Sequence, residues 1–559
     1  MASTRRNRRK AEVALTRPQR VEPTEVRVLS VATGARLDLV GGAAAPTAVT
    51  GVCLRAQDIE AGDLFAALPG ARVHGAQFAA QAVERGAAAI LTDPAGRAEV
   101  ARVLPAEASC AILVHPRPRA VLGGVSARVY GNPSQRLKLI GITGTSGKTT
   151  TSYMVEAALL AAGHSVGLIG TVETRVDGVA QPSSLTTPEA PNLQALLAAM
   201  VERGVDVVVM EVSSHALSLG RVDGCHFAVG AFTNLSQDHL DFHPTMRAYF
   251  EAKARLFAAG SPTRAVRSVI CVDDDWGARM AEIARAGAAG TPARPVTVST
   301  LGGSTPGGLT PGGSRQGPQA DWQAGPSTVG ADGGQRAELS GPGRTAVELA
   351  VPLPGRYNVA NATLAVAVAV AAGVSASQAA QAVAEVRVPG RLERVDTGRP
   401  FLTIVDYAHK PGAVEAVLTT LRGQASGRIG IVIGAGGDRD QGKRPKMGAA
   451  AARGADLVVV TDDNPRTEDP AAIRAAVLAG AHEVPVSERP AGSEIREVGD
   501  RRAAIETAVA WARPGDIVLV AGKGHETGQE IDGVKHPFDD RVVLAEALAG
   551  LGESAEQAR

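Results

Sequence analysis

The sequence predicts an α/β protein built from three domains. The chain has 559 residues, and because domains usually hold about 100–200 residues, it has room for three or four of them. From Leu137 onward, apolar runs typical of buried strands alternate with segments typical of helices. Such alternation favours mostly parallel sheets. After residue 390, four more apolar runs each end in polar residues, which is typical of a Rossmann-like sheet with a ligand site at its carboxyl edge.

The composition argues against several classes of function. Charge is balanced, with 58 basic and 57 acidic residues and a net charge of +1, so nothing in it predicts a nucleic-acid or membrane-surface partner. No apolar run approaches the roughly 20 residues that cross a bilayer, and the N-terminus lacks the apolar core of a signal peptide. The four cysteines are widely spaced, which argues against a disulfide framework. We expect a cytoplasmic protein without membrane insertion or a nucleic-acid partner.

The N-terminal part of the chain predicts a tail followed by a small α/β domain. Residues 1–25 are polar and basic, and we expect a disordered tail, with contact to nucleic acid or an anionic surface as the alternative. Ordered structure is expected from Val26, and the first domain is placed at residues 26–136. Within it, a strand at Asp63–Leu68 is followed by a helix at Ala76–Arg85 and by a second strand.

A glycine-rich loop opens the central domain, which is placed at residues 137–390. The apolar run Leu137–Ile142 breaks into GTSGKTT and continues into a helical pattern. Glycines let backbone N–H groups approach an anion, and the helix N-terminus favours its charge. Lys148 can reach the outer phosphates of a nucleotide, and Thr149 can place a hydroxyl on Mg²⁺. Ile142 stands where the usual motif has glycine, so the loop is a variant; a plain surface turn is the alternative.

Three polar residues further along the central domain are weighed individually. Glu211 directly follows an apolar strand, where an acid suits a Mg²⁺ ligand beside the phosphate loop, although a solvated strand-end carboxylate is the alternative. His239 lies among acids in SQDHLDFH, but the spacing fits no zinc motif. A metal or phosphate role and a structural role are therefore both open for it. Lys253 lies in a helical segment, and its pattern alone predicts an exposed lysine.

The remaining central segments differ in composition. Residues 301–336 are rich in Gly, Pro and Ser, which predicts a flexible insertion unable to bury a core. A helix follows, with Asn358 and Asn361 on one face of its start.

The third domain is placed at residues 391–559. Its four strand ends carry Asp, His, Arg, Asn and Lys, which predicts a site there. Arg439 and Arg466, together with Glu526, could hold a substrate with both carboxylate and ammonium groups. A surface ion-pair network is the alternative.

Ten motifs together resemble the Mur ligases of peptidoglycan synthesis, over about residues 26–545. In order they are GTSGKTT, EVSSHAL, FTNLSQDHLDFH, YFEAKARLF, GRYNVANA, PGRLERV, DYAHKP, GGDRDQGKRP, DDNPR and GKGHE. The resemblance implies an ATP-dependent amide ligase with a UDP-binding domain, a central P-loop ATPase domain and an amino-acid-binding Rossmann-like domain. ATP would phosphorylate the γ-carboxylate of D-Glu in UDP-MurNAc-L-Ala-D-Glu, and the amine of a diamino acid would attack the acyl phosphate.

The resemblance also implies roles for individual residues. Those expected to bind ATP are Gly144, Thr145, Ser146, Gly147, Lys148, Thr149, Thr150, Asn358, Asn361, Arg391 and Asp406. Those expected to hold Mg²⁺ are Thr149, Glu211, His239 and Lys253, the last as a carbamate formed with CO₂, which reverses the interpretation of Lys253 from its pattern. Lys148, Glu211, His239 and Lys253 form the implied catalytic set. Those expected to contact the nucleotide-sugar peptide are Thr186, Thr187, Ser213 and Arg221.

Diaminopimelate is the amino acid that the resemblance implies. The residues that match the amino-acid pocket are Arg439, Asp463, Asn464, Pro465, Arg466, Gly522 and Glu526. DNPR resembles the form in which an arginine meets the distal carboxylate of diaminopimelate, and that pair would discriminate by ~2–4 kcal/mol against lysine. Val52-Cys53-Leu54-Arg55 departs from the family's Asp-Ser-Arg, which leaves the uridine contacts open. A monomer is expected; a folylpolyglutamate-synthetase-like ligase and a P-loop regulatory ATPase are the alternatives.

Overall fold

The computed structural model describes residues 17–40, 45–70, 72–105, 107–176, 178–182, 185–301, 320–330, 333–396 and 398–557. Within these residues, three large sheets follow one another along the chain. None of the helices in these ranges is both long and apolar enough to cross a membrane.

The N-terminal domain is a five-stranded sheet in the order β2-β7-β6-β5-β4, with β2 antiparallel and the others parallel. Its central strands are apolar and buried, as strands covered on both faces must be. The strands are β1 (Thr24–Glu25), β2 (Arg36–Val40), β3 (Ala48–Val49), β4 (Gly51–Cys53), β5 (Asp63–Ala66), β6 (Ala89–Thr92) and β7 (Cys110–Val114). The helices are α1 (Val26–Thr33), α2 (Ala79–Glu84), α3 (Pro94–Val103) and α4 (Pro118–Val129).

Residues 17–25 are ordered, so the prediction of a disordered tail is wrong for them, and residues 1–16 lie outside the described residues. Arg17 Nη2 lies 2.6 Å from Oδ1 of the buried Asp63. The backbone amides of Gln19 and Arg20 donate to the carboxylate of Glu202 in the central domain, at 2.8 and 2.9 Å. The segment is ordered because the buried carboxylate needs a cation, and the charge pattern alone does not reveal that partner.

The central domain contains a twelve-stranded sheet, in which the seven strands β9-β12-β8-β13-β14-β15-β16 run parallel. An antiparallel hairpin, β10 and β11, extends one edge, and β17, β18 and β19 extend the other. The strands are β8 (Lys138–Thr143), β9 (Val166–Ile169), β10 (Glu173–Val176), β11 (Val179–Pro182), β12 (Val207–Glu211), β13 (Phe227–Phe232), β14 (Arg267–Cys271), β15 (Val296–Ser299), β16 (Trp322–Ala324), β17 (Thr328–Val329), β18 (Gln335–Gly341) and β19 (Thr345–Val351). The helices are α5 (Lys148–Ala161), α6 (Ala190–Glu202), α7 (Ser214–Ser218), α8 (Met246–Ala254), α9 (Asp275–Gly287), α10 (Arg356–Ala372) and α11 (Ala376–Val383).

Part of the predicted flexible insertion belongs to this sheet. Strand β16 pairs with β15, and its Trp322 is only 3% exposed. The preceding Asp321 accepts hydrogen bonds from the backbone and the hydroxyl of Thr297, at 2.8 and 2.9 Å. The prediction that this stretch buries nothing is therefore wrong for residues 320–324, because one tryptophan supplies the apolar area that its glycine-rich neighbours lack. Residues 302–319 and 331–332 lie outside the described residues.

The C-terminal domain has the predicted open, mostly parallel sheet. Its order is β20-β21-β25-β22-β23-β24, in which only the edge strand β20 is antiparallel. The strands are β20 (Glu393–Arg394), β21 (Leu402–Asp406), β22 (Ile429–Ile433), β23 (Leu457–Val460), β24 (Glu494–Glu497), β25 (Ile517–Ala521), β26 (Gly528–Ile531) and β27 (Val534–Pro537). The helices are α12 (Pro411–Arg422), α13 (Lys443–Gly454), α14 (Pro470–Glu483), α15 (Arg501–Trp511) and α16 (Asp540–Gln557).

The carboxyl ends of the central and C-terminal sheets meet across a cleft. Lys410, just after β21, forms an ion pair of 2.6 Å with Asp238, in the loop after β13. Arg391 reaches from the start of the third domain to within 3.4 Å of the Thr149 hydroxyl. The predicted α/β class is confirmed, and the polar strand ends of two domains share one cleft.

Candidate active site

The glycine-rich loop after β8 requires its two glycines. Gly144 and Gly147 have φ angles of +147° and +86°. A Cβ atom on Gly144 would collide with the Thr233 hydroxyl, and one on Gly147 would collide with the Asn361 side chain. The backbone therefore turns tightly at both positions and enters α5 at Lys148.

Neighbouring residues that the motif did not reveal hold the loop in place. The Ser146 backbone amide donates to Asn234 Oδ1 at 3.0 Å, and the Ser146 carbonyl accepts from the Thr233 hydroxyl at 2.7 Å. The Thr145 amide donates to the Asn234 carbonyl at 2.9 Å. Because Thr233 and Asn234 directly follow β13, which pairs with β8, strand adjacency was the signal that could have identified them.

Lys148 lies over the loop that precedes it. Its Nζ donates to the carbonyls of Gly144 and Thr145, at 3.1 and 3.0 Å. Burial lowers the pKa of Lys148 to about 8, and Lys410 and Arg391 add to the lowering. Three cations around one loop form a site that favours a polyanion.

Glu211 lies beside this loop, as its position after β12 predicted. It is 1% exposed and accepts a hydrogen bond from the Thr149 hydroxyl at 3.0 Å. The backbone amide and hydroxyl of Thr171 also donate to it, at 2.8 and 3.0 Å. One carboxylate and one hydroxyl beside a phosphate loop suit Mg²⁺, which prefers oxygen ligands. Water molecules and substrate phosphates usually supply the rest of its coordination. Within the described ranges no three His, Cys, Asp or Glu side chains form a metal cluster.

His239 stands at the open side of the same cleft. Its side chain is 42% exposed, and its Nε2 lies 3.0 Å from Asp238 Oδ2. Burial would raise the pKa of Asp238, but His239 and Lys410 together lower it below its usual range. His239 is therefore held by an ionised carboxylate that also contacts the third domain.

Lys253 is buried, so the prediction from its helical pattern is wrong. The side chain is 1% exposed, its Nζ donates to the Gly144 carbonyl at 2.7 Å, and it lies 4.5 Å from the centre of the Tyr249 ring. Burial lowers the pKa of Lys253 well below its ordinary value, and Lys148 and Lys410 lower it further. The amine is therefore neutral far more often than that of an exposed lysine, which is the state that reacts with CO₂.

Asn358 and Asn361 begin α10 beside the loop. The Asn361 amide donates to Asn358 Oδ1 at 3.1 Å, and Asn358 Nδ2 donates to the Pro354 carbonyl at 2.7 Å. Thr150, the third residue of α5, is buried. The Asn361 side chain lies against Gly147, so the start of α10 packs directly on the glycine-rich loop.

Arg391 and Asp406 come from the third domain. The Arg391 guanidinium lies 4.3 Å from the centre of the Tyr407 ring, which fixes its direction toward Thr149. Both oxygens of Asp406 accept backbone amides, from Leu392 and Ala408, each at 2.8 Å. Burial raises the pKa of Asp406, although Arg391 opposes the increase.

The four residues expected to contact the nucleotide-sugar peptide lie together beyond Glu211. The Thr187 hydroxyl donates to the Glu211 carbonyl at 2.9 Å and accepts from the Ser213 amide at 3.1 Å. Arg221 donates to the Thr187 carbonyl at 3.3 Å. The hydroxyls of Thr186 and Thr171 are 3.0 Å apart. This group extends the site from the phosphate loop toward the N-terminal domain.

The third domain gathers the residues expected to form an amino-acid pocket. Asn464 Nδ2 donates to Glu526 Oε2 at 2.8 Å. Arg466, with φ +53°, donates to the Gly437 carbonyl at 2.6 Å and lies 3.3 Å from Glu530 Oε2. Burial raises the pKa of Glu526, and Asp463 adds to the increase.

The remaining predicted pocket residues lie on the same loops. Gly522 has φ +113°, and a Cβ there would lie 2.9 Å from Asp463 Oδ2. The Pro465 carbonyl packs against Gly437, where a side chain would collide with it. Arg439 is exposed on the loop after β22. Two buried cations of this region, Lys523 and Arg501, were not predicted; the first stood inside the GKGHE motif.

Known proteins resemble the whole arrangement. Models described as Mur ligase family catalytic domain, Mur ligase middle domain and Mur ligase glutamate ligase domain match residues 48–130, 142–369 and 390–524. The chain is 54% identical to the UDP-N-acetylmuramoyl-L-alanyl-D-glutamate--2,6-diaminopimelate ligases of Corynebacterium glutamicum (87% of this chain, 89% of that one) and Corynebacterium efficiens (87% of each). A solved structure of a ligase with the same name is 31% identical, covers 90% of this chain and 96% of its own, and has a TM-score of 0.60.

Proposed function

The chain belongs to the Mur ligase family, and we propose that it joins diaminopimelate to the D-Glu γ-carboxylate of UDP-MurNAc-L-Ala-D-Glu with ATP. Relatives that carry this activity in their name are 54% identical over most of the chain. The main support is that one domain contains the pocket of Asn464, Arg466 and Glu526 and also contacts the phosphate loop. Lys410 and Arg391 of that domain reach Asp238 and Thr149 of the central domain.

The reaction proceeds in two steps. An oxygen of the D-Glu γ-carboxylate attacks the γ-phosphorus of ATP, the bond to the β–γ bridging oxygen breaks, and ADP leaves. The substrate amine then attacks the acyl carbon, phosphate leaves with the electron pair of the C–O bond, and the amine proton passes to water. Phosphorylation is needed because a carboxylate is a poor electrophile and offers no leaving group.

The residues of the cleft stabilise the charge that this chemistry develops. Lys148 and Arg391 bind the phosphate oxygens and orient the γ-phosphoryl group. Asn358 or Asn361 contacts the adenine, and Asp406 contacts the ribose. Thr149, Glu211, His239 and Lys253 as a carbamate would hold Mg²⁺, which would neutralise charge on the phosphate and acyl oxygens when bound.

The acyl donor and the attacking amine are bound by different domains. Thr186, Thr187, Ser213 and Arg221 hold the nucleotide-sugar peptide. Glu526 and Asp463 accept an ammonium group of diaminopimelate, and Arg466 and Arg439 bind its carboxylates. Because both the meso and the LL isomer carry a distal carboxylate, this pocket reads the carboxylate and leaves the choice of isomer to its finer shape.

The alternatives fit less well. Arg466 and Glu526 suit a substrate that carries both an ammonium group and a distal carboxylate. Neither a folylpolyglutamate-synthetase-like ligase nor a regulatory P-loop ATPase would need such a pocket. We place the reaction in the cytoplasm, where four free cysteines stay reduced, and propose that the enzyme acts as a monomer.

A phosphate-release assay with single omissions tests the proposed function. Purified enzyme is given ATP, UDP-MurNAc-L-Ala-D-Glu and diaminopimelate together, then each pair of the three, and finally ATP alone. The account expects sustained phosphate release only with all three substrates present. Sustained release with ATP alone would contradict a ligase and favour the regulatory ATPase.

Changing Arg466 to alanine is expected to raise the KM for diaminopimelate by about 30- to 1,000-fold, which corresponds to ~2–4 kcal/mol of lost charged hydrogen bonding. The KM for ATP should change little, because Arg466 lies in the amino-acid pocket. Steady-state kinetics with each substrate varied in turn measure both constants. The matched control is R453A, which removes an exposed arginine from the same domain. Equal increases in the two KM values of R466A would refute the assigned role.

A further inference from the structure

Lys523 is a fully buried cation directly behind the amino-acid pocket. Its side chain is 0% exposed and follows β25 by two residues. Nζ donates to Asn464 Oδ1 at 2.9 Å and to the Gly528 carbonyl at 2.8 Å, and lies 3.3 Å from Asp463 Oδ1. A buried ammonium has three protons to place, and these acceptors satisfy them. Lys523 therefore does not face the substrate but contacts two residues that do.

The contact with Asn464 sets which end of its amide faces the pocket. Asn464 Oδ1 accepts from Lys523 and from the Glu530 backbone amide at 3.0 Å. The amide nitrogen consequently points to Glu526 Oε2, at 2.8 Å, and to Asp463 Oδ1, at 3.2 Å. A rotated amide would place its N–H groups against the Lys523 ammonium, which is strongly unfavourable in a buried site.

A second buried cation holds the strand end that carries Lys523. Arg501 is 0% exposed and pairs with Asp540, also 0% exposed, at 2.7 Å. Its Nη2 donates to the Ala521 carbonyl at 2.9 Å. Ala521 is the last residue of β25, so the guanidinium fixes the point where the Gly522–Glu526 loop begins.

Carboxylates outnumber cations in this buried cluster when Glu526 is ionised; burial raises the pKa of Glu526, and a bound ammonium group would favour its ionised form. Lys523 and Arg501 face three carboxylates, those of Asp463, Asp540 and Glu526. Lys523 and Arg501 lower the pKa of Asp463 against the effect of burial, so it stays ionised. A bound ammonium group would balance the remaining charge.

We propose that Lys523 is a positioning residue that fixes the Asn464 amide and the Asp463 carboxylate so that, with Glu526, they receive an ammonium group of the amino-acid substrate. The inference rests on the proposed function and deepens it, because it assigns recognition of the ammonium to a buried cation that the substrate does not touch. A purely structural lysine would lower stability without selecting one substrate, and this difference can be measured.

The test compares K523M and K523Q with the wild-type enzyme, and measures KM for each of the three substrates and the melting temperature. Both variants are expected to raise the KM for diaminopimelate by about 10- to 100-fold, since a buried polar group loses its partner. The KM values for ATP and the nucleotide-sugar peptide should stay within about 3-fold, because their sites lie outside this network. The matched control is R428M, which removes a cation that stacks on Trp511 and pairs with Asp516 elsewhere in the same domain.

A double-mutant cycle tests whether Lys523 affects the KM for diaminopimelate through Asn464. If Lys523 acts through Asn464, K523M adds little to the diaminopimelate KM of N464A. The proposal is overturned if K523Q leaves the KM for diaminopimelate unchanged, or if the KM values for all three substrates rise together. It is also overturned if the effects of K523M and N464A on the KM for diaminopimelate are additive. If K523M does not fold, K523Q and its cycle with N464A decide between the same outcomes. Absence of product from wild-type enzyme with diaminopimelate would instead refute the proposed function.

Discussion

Replacing Lys148 by methionine is expected to lower kcat by about 100- to 1,000-fold, the cost of removing one preorganised group that stabilises transition-state charge. Nζ lies within 3.1 Å of two loop carbonyls, and burial lowers its pKa to about 8, so an anion bound at the loop would favour the charged ammonium. A nucleotide phosphate would supply this anion. The measurement is the rate of ATP-dependent phosphate release at saturating substrates.

The control for this variant is K138M, at the start of β8, the end of that strand opposite the glycine-rich loop. Lys138 is exposed, and its ammonium donates to the Ala372 carbonyl at 3.2 Å, far from the glycine-rich loop. It should retain nearly all activity. A K148M enzyme with the kcat of K138M would remove Lys148 from the phosphoryl-transfer step.

Replacing Lys253 by methionine is expected to cause a loss of similar size, and with it the loss of a protein-bound carbamate. In the proposed reaction the neutral Nζ attacks the carbon of CO₂, an N–C bond forms, and one amine proton leaves to water. The product is an anionic side chain near the ammonium group of Lys148. The positive charges of Lys148 and Lys410 would stabilise the anionic carbamate. Together with burial, the same charges lower the pKa of the Lys253 amine.

Labelling with ¹³C-enriched bicarbonate tests the carbamate directly. Wild-type enzyme and K138M should show a carbamate carbon signal by NMR, and K253M should lack it. An active wild-type enzyme without that signal, or a K253M enzyme of normal activity, would contradict the assigned role of Lys253.

The parts of the site that could be predicted are those whose interacting residues lie close together in the sequence. The loop from Gly144 to Thr149 requires glycine at positive φ, a lysine and a hydroxyl within a few residues, so its geometry is local. Glu211 was predictable because a carboxylate at the end of a buried strand must meet something polar. Arg466 was predictable only through the motif that surrounds it.

The parts that could not be predicted depend on contacts between distant segments. Lys253 has the helical spacing of an exposed residue, yet α8 turns it into the loop after β8, where it reaches Gly144. Arg17 is ordered by Asp63, 46 residues away, and Arg501 is buried by Asp540, 39 residues away. Charged residues in these positions are compatible with solvent until the partner segment is placed, so composition and periodicity cannot distinguish the two states.

An ion-pair cluster joins the central and C-terminal domains across the cleft. Asp238 lies 3.0 Å from His239 of its own domain and 2.6 Å from Lys410 of the C-terminal domain. One carboxylate thus links the phosphate side of the cleft to the domain that carries the amino-acid pocket. Such a contact brings the attacking amine toward the acyl phosphate and limits the access of water.

A ligase whose pocket binds a distal carboxylate must prefer diaminopimelate to lysine. A competition assay tests it most directly, with ATP, UDP-MurNAc-L-Ala-D-Glu and equal concentrations of diaminopimelate and L-lysine, followed by mass spectrometry of the nucleotide product. The account predicts a product heavier by one diaminopimelate residue, with the lysine adduct lower by about 30-fold or more, as loss of ~2 kcal/mol implies. A predominant lysine adduct, or a nucleotide whose mass does not change, would contradict it.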